Sequence, residues 1–218
     1  VDVIPLHCDW DNSFPNHPPD PTRQENMEDL GRAVLEHGAE FGIGMDGDGD
    51  RLGVVDENGS FIRPDRLMGI FVKEVLSGLP KNATEEQRTI FFDVKCSMAL
   101  EEAIEELGGV PKMVRTGHTF MKKELRESPD SPMAGEMSGH FFMNDHWDGF
   151  DDSIYCAARL LSIIGMDHSP EQGGPKFSER FNFMPEYPTT DEGKVPLVGE
   201  REEVMEAVVS AFSDMPTS

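Results

Sequence analysis

The run Asp46-Gly47-Asp48-Gly49-Asp50-Arg51 sets three carboxylates at alternate positions, separated only by glycine and closed by an arginine. Carboxylate oxygens are the ligands that a hard divalent cation takes. Glycine spacers let the backbone bend tightly enough for side chains at i, i+2 and i+4 to converge on one ion. Arg51 adds a permanent positive charge, and a guanidinium holds a phosphate bidentately while a metal takes another of its oxygens. The loop reads as a site for Mg²⁺ and a phosphate.

Three other readings compete. Asp and Gly are common turn residues, although a turn does not need three spaced acids and an arginine. The acids also fall at positions one, three and five of an EF-hand loop, with Glu57 at twelve, but Arg51 stands where position six needs glycine. The flanks, Phe41–Met45 and Leu52–Val55, read as strands, which excludes the EF-hand's helices. An Asp-x-Asp pair after a strand equally suits a phosphatase with Asp46 as covalent nucleophile. The loop alone leaves that reading open.

Further chemistry lies beyond other strands. Lys95 follows the apolar run Thr89–Val94, and His118 follows Val110–Val114 through Arg115-Thr116-Gly117. Ligands of open α/β sheets bind beyond the carboxyl ends of strands, so these two groups suit phosphate binding or acid/base work. Singly, each has a bland reading, a lysine that marks a strand end and a structural histidine. Gly135-Glu136-Met137-Ser138-Gly139-His140 puts Glu136 and Ser138 on a glycine-flexed loop, with His140 closing it. Such a loop can grip the vicinal hydroxyls of a sugar, or be an ordinary bend. Asn16-His17-Pro18-Pro19-Asp20-Pro21, with His7 and Cys8 nearby, matches no zinc spacing and reads as a rigid structural loop. Trp147-Asp148-Gly149-Phe150-Asp151-Asp152 reads as a turn leading into a helix.

The elements that must position these residues alternate. Strands are expected at Val1–Leu6, Phe41–Asp46, Leu52–Asp56, Thr89–Val94, Val110–Val114, Met133–Glu136 and His140–Met143. Helices are expected at Glu25–His37, Pro64–Leu79, Ser97–Leu107, Phe120–Arg126, Asp151–Ile164 and Glu200–Phe212. Met27, Leu30, Val34 and Leu35 would form the apolar side of the first helix; Val204, Val208 and Phe212 would form that of the last. Asn58-Gly59 is a hairpin signal. The stretch from Asp167 to about Pro185 reads as a linker. Alternating strands and helices predict an α/β class, a layered mixed sheet flanked by helices.

The chain has 218 residues with 42 acidic against 19 basic, a net charge of −23. Such a surface repels nucleic acid and anionic membrane, so neither is an expected partner. Three widely spaced cysteines form no zinc pair and no disulfide framework, which fits a reduced, cytoplasmic setting. No apolar run reaches the length of a membrane span. The first residue is Val1, in what reads as mid-strand, which suggests a fragment.

In this order, Asn16–Pro21, Asp46–Arg51, Pro64-Asp65-Arg66, Asp93-Val94-Lys95-Cys96, Thr116-Gly117-His118, Gly135–His140 and Gly149-Phe150-Asp151-Asp152 resemble the α-D-phosphohexomutases. The likeness points to the phosphomannomutase/phosphoglucomutase branch and runs to about Ile164. It implies that residues 1–57 are the end of the family's second, metal-binding domain, 58–170 its third, sugar-binding domain, and 171–218 a linker and the start of an α+β fourth. It implies Mg²⁺ on Asp46, Asp48 and Asp50, with catalytic roles for Arg51, Lys95 and His118. Glu136, Ser138 and His140 would bind a mannose or glucose 1- or 6-phosphate. The implied reaction moves a phosphoryl group between the 1- and 6-positions through a hexose 1,6-bisphosphate. Met137 resembles the mannose/glucose branch, where the glucosamine branch has Gln. The sequence contains neither the family's phosphoserine loop nor its distal phosphate clamp, so this polypeptide alone is expected to be inactive. A metal-dependent sugar-phosphate phosphatase and a non-catalytic sugar-phosphate or cation binding module remain the alternatives.

Overall fold

The computed structural model describes residues 1–9, 11–168, 173–188, 196 and 198–213. Residues 1–187 form one compact unit and residues 188–218 another. Two sheets organise the first unit. In the smaller, β1 (Phe41–Met45), β2 (Leu52–Asp56) and β3 (Phe61–Ile62) lie side by side and antiparallel. Met45 pairs with Leu52, so the acidic hexapeptide is the loop that joins β1 to β2. The second hairpin turns through Asn58-Gly59, with Gly59 at φ 74°, and the Asp56 carboxylate accepts from the Asn58 and Ser60 amides. Helix α1 (Glu28–His37) stops at Gly38, a left-handed cap at φ 62°. Met27 and Val34 pack with Val55, whereas Leu35, expected on the same face, is 60% exposed.

The larger sheet has the order β5-β4-β6-β7, formed by β4 (Thr89–Asp93), β5 (Val110–Val114), β6 (Met133–Gly135) and β7 (Phe141–Met143). β4 runs parallel to β5 and β6, and β7 returns antiparallel, so the sheet is mixed as expected. Every residue of β4 is buried, because both faces are covered. Ile90 and Phe92 face a core shared with α2 (Pro64–Ser77), α3 (Met98–Glu106) and α5 (Ser153–Met166). Phe91, between them, joins Met121 and Leu125 of α4 (His118–Glu127) in a separate cluster. The alternation of side chains along one strand therefore makes the layering. Parallel strands open their carboxyl ends on one side, where the turns carrying Lys95 and Thr116–His118 lie.

Four expectations are corrected. Val1–Leu6 is not a strand: a strand requires a ladder partner, and Val1 and Val3 are 97% and 79% exposed. Helix α5 passes Gly165 and ends at Met166, since a helical glycine costs only about 1 kcal/mol against alanine. The supposed linker holds a short 3-10 helix, Ser178–Phe181, and buries Phe177, Phe181 and Met184 in the core. Arg66 fastens it by donating to the carbonyls of Phe181 and Pro185. Residues 169–172 of that stretch lie outside the described residues. In the second unit, α6 (Arg201–Phe212) buries no residue, so Val204, Val208 and Phe212 are not a core face. Among the described residues no helix is long and apolar enough to cross a membrane.

Candidate metal and phosphate site

The β1–β2 hairpin holds the acidic loop in a fixed shape. Asp46 Oδ1 accepts from the amides of Asp50 (3.0 Å) and Arg51 (3.1 Å), and Asp46 Oδ2 accepts from Arg51 Nε at 2.6 Å. Gly49 stands at φ 76°, a conformation that favours glycine. Its carbonyl accepts from the Ser153 amide and hydroxyl, which pins the loop to the start of α5. One oxygen each of Asp46, Asp48 and Asp50 lie within 4.8 Å of one another. An all-oxygen set converging like this fits a hard divalent cation. Arg51 is held from two sides, by Asp46 and by Asp20 at 3.2 Å. The proline-fixed loop before Pro21 therefore braces the arginine, consistent with its structural reading.

Burial would raise the Asp46 carboxyl, but the Arg51 side-chain and backbone hydrogen bonds outweigh it and hold the group below the usual value. Asp50 moves the other way: burial and its neighbour Asp46 raise it, against the pull of His140. A site that concentrates negative charge this way gains when a cation enters.

The Gly135–His140 loop closes onto the acidic loop. Arg51 and His140 form an isolated antiparallel bridge, and the Leu52 amide donates to the Gly139 carbonyl at 3.0 Å. His140 Nε2 lies 3.4 Å from Asp50 Oδ1, and its Nδ1 lies 3.0 Å from Glu136 Oε2 and 2.8 Å from the Ser138 hydroxyl. Glu136 is buried, and its Oε1 accepts from the Gly117 amide at 2.5 Å. Burial would raise the Glu136 carboxyl and lower the His140 imidazole. Their mutual hydrogen bond reverses both, helped at His140 by the charges of Asp50 and Asp151. Glu136 thus ties together the loops after β5 and β6 and has only spare lone pairs for a ring hydroxyl.

His118 opens α4, with its ring stacked 5.9 Å from that of His140 and its Nδ1 3.6 Å from Asp151 Oδ2. Lys95 lies in the exposed turn beyond β4 and shares this end of the sheet. Asp46, Asp48, Asp50, Arg51, Glu136, Ser138, His140 and His118 therefore form one connected group.

Three further residues beside this group were given no role by the sequence. Asp93, fully buried at the end of β4, accepts from the Cys96 thiol, the Thr116 hydroxyl and the Met137 amide, which joins three strand-end turns. Its signals were a carboxylate ending an apolar run and its place at the head of the Asp93–Cys96 motif. Asp151 and Lys122 form an ion pair at 2.6 Å beside His118. Asp152 alone caps α5, accepting from the Tyr155 amide, and that leaves Asp151 for the site. The doubled acid was the signal.

Residues 1–59 match the family model described as phosphoglucomutase/phosphomannomutase, alpha/beta/alpha domain II, and residues 63–187 match domain III of the same family. The chain is 46% identical over 200 residues to a phosphomannomutase/phosphoglucomutase of Pseudomonas putida, covering 90% of this chain and 42% of the relative. It is 40% identical over 196 residues to a phosphoglucomutase of Neisseria meningitidis, covering 90% and 40%. A crystal structure of a phosphoglucomutase/phosphomannomutase family protein from Burkholderia thailandensis matches 85% of this chain and 38% of that one, with a TM-score of 0.74 and 44% identity. The chain spans about two fifths of the length of these relatives.

Proposed function

The chain belongs to the phosphoglucomutase/phosphomannomutase family, and from that premise we propose that it supplies the cation-binding and sugar-binding parts of a phosphohexomutase. The reaction would move a phosphoryl group between the 1- and 6-positions of mannose or glucose phosphate through a hexose 1,6-bisphosphate. The observation that carries this reading is the junction of two loops: the acidic loop and the Gly135–His140 loop meet at Arg51, Asp50 and His140. A phosphate at the first would lie beside a sugar at the second.

Asp46, Asp48 and Asp50 would hold Mg²⁺, which fits their oxygen donors. When bound, that ion would offset the charge that develops on a transferring phosphoryl group. Arg51, fixed by Asp46 and Asp20, would orient the phosphate without having to pay much side-chain entropy. His118 and Lys95 would hold a phosphate oxygen or move a proton at the hydroxyl that gains or loses the group. Ser138 and the spare lone pairs of Glu136 would hold ring hydroxyls, with His140 setting the carboxylate's orientation. Met137 supports the mannose/glucose preference. The domain reading carries over as part of the proposal: the acidic loop in the first segment, to residue 57, and the sugar loop in the second, 58–170.

The phosphatase reading is disfavoured by the setting of Asp46. Its side chain is 2% exposed and both oxygens already accept hydrogen bonds. An in-line nucleophile would have to break the contact with Arg51 first. ³¹P NMR tests the proposal, with glucose 1-phosphate or mannose 1-phosphate, Mg²⁺ and a trace of the 1,6-bisphosphate. The proposal expects Mg²⁺-dependent broadening of the 1-phosphate signal by the chain, and the 6-phosphate as product of the intact enzyme. Inorganic phosphate as the product, with label trapped on Asp46, would overturn it in favour of the phosphatase.

A further inference from the structure

A second group of possible ligands stands beside the acidic loop. One ligand atom each of Asp50, His140 and Asp151 lie within 4.8 Å of one another, and the set contains an imidazole, unlike Asp46–Asp48–Asp50. Two observations independent of that convergence point to a cation. The first is the state of His140. Its Nδ1 faces the buried Glu136 carboxylate at 3.0 Å, while its Nε2 faces Asp50 at 3.4 Å. A histidine that ligates a metal through one nitrogen almost always gives the other N–H to a carboxylate, which fixes tautomer and ring orientation. The second is an orphan. The Asp151 side chain is 7% exposed and its Oδ1 takes Lys122 at 2.6 Å, while its buried Oδ2 has no hydrogen-bond partner and only the His118 ring nitrogen near it, at 3.6 Å. A buried carboxylate oxygen left unsatisfied is costly, and a ligated ion would remove that cost.

We propose that Asp50, His140 and Asp151 form a second cation site, selective for a borderline-soft divalent ion such as Zn²⁺, and that it competes with the acidic loop for Asp50. Mixed oxygen and imidazole donors suit Zn²⁺, whereas Mg²⁺ prefers oxygen alone. Both sites need the carboxylate of Asp50, so filling one removes a ligand from the other. Filling the second also engages His140 and draws on Asp151, the partner of His118 and Lys122. Zn²⁺ at this position would therefore occupy the junction between the phosphate and sugar loops and act as an inhibitor. The site itself stands on its own geometry; its competition with Mg²⁺ rests on the reading of the acidic loop given above.

The test is a Zn²⁺ titration of the chain labelled with ¹⁵N-histidine at mildly alkaline pH, followed by the ring nitrogens. The His140 signals are assigned from H140Q. The expected result is a Zn²⁺-dependent move of His140 Nε2 into the metal-bound range, with Nδ1 remaining protonated. Asp151→Asn should weaken that response about tenfold or more, and Asp48→Asn should leave it intact. A His140 signal that ignores Zn²⁺ in the unsubstituted chain overturns the site without any variant. So does an unchanged response in D151N. Mg²⁺ added to the Zn²⁺-loaded chain should reverse the His140 shift; Zn²⁺ binding with no reversal at saturating Mg²⁺ would leave the new site standing and count against the acidic loop as the Mg²⁺ site.

Discussion

Arg51 and His140 pair across an isolated antiparallel bridge, and this contact joins a loop of the small sheet to a loop of the large one. Each residue is also a chemical participant: Arg51 braces Asp46, and His140 lies between Glu136 and Asp50. The backbone that builds the site is thus inseparable from the side chains that would use it.

That dependence is concentrated at Gly139. It stands at φ 83°, and a Cβ there would meet Thr22 Cγ2 at 2.9 Å and the Leu52 carbonyl at 3.1 Å. Gly139→Ala is expected to destabilise the fold by about 1–3 kcal/mol and to weaken sugar-phosphate binding beyond that loss. Urea titration reads the first effect and calorimetry the second. Unchanged stability would show that the bridge does not constrain the loop.

The three loop acids should separate by role. Asp48 is exposed, whereas Asp46 holds two backbone amides and Arg51. Asp48→Asn is expected to lower divalent-ion affinity with stability nearly unchanged. Asp46→Asn should lose both affinity and about 1–3 kcal/mol of stability. Mn²⁺ binding and urea midpoints measured on the same two variants decide it.

Legibility of the sequence followed how local each interaction is. The Asp46–Arg51 loop and the Asn58-Gly59 turn were readable, because i to i+5 spacing and a hairpin turn decide them. The α/β layering was readable from apolar runs such as Thr89–Asp93. Asp151 was not, because its place in the site depends on pairing with Phe142 and on the imidazole of His118, both remote in sequence. The burial of Phe177, Phe181 and Met184 was hidden by the surrounding proline and glycine, which describe the backbone but not what the side chains cover. Val1–Leu6 carried strand propensity, and propensity alone does not supply a partner.

Acid should loosen the fold through one buried and one partly buried carboxyl. Burial would raise both Asp65 and Asp145, but hydrogen bonds from Arg63 and the Ser97 amide in one case, and from Arg159 in the other, hold them below the ordinary carboxylate value. A group titrating lower when folded stabilises fully above its unfolded value and loses that contribution as pH falls through the folded value. Asp65→Asn should therefore be less stable than the parent chain at neutral pH, with the gap narrowing as the pH drops below the usual carboxylate range. A gap that widens in acid would contradict the assignment.

Thiol reactivity should discriminate the three cysteines. Burial pushes Cys156 up to about 12, and burial with the Asp93 charge raises Cys96 further from reactivity, while Cys8 is exposed. Native alkylation is expected to label Cys8 alone, with the other two following only in denaturant. Mass spectrometry of the labelled peptides reads the outcome.

In the proposed function one site takes a divalent cation and a hexose phosphate together. Calorimetric titration of glucose 1-phosphate into the chain, with and without Mg²⁺, tests it most directly when repeated on Asp48→Asn. The expected result is binding that strengthens at least about tenfold with Mg²⁺ and loses that gain in the variant, as charge-assisted phosphate contacts at a metal require. Binding that is indifferent to Mg²⁺ and equal in both chains would contradict the account.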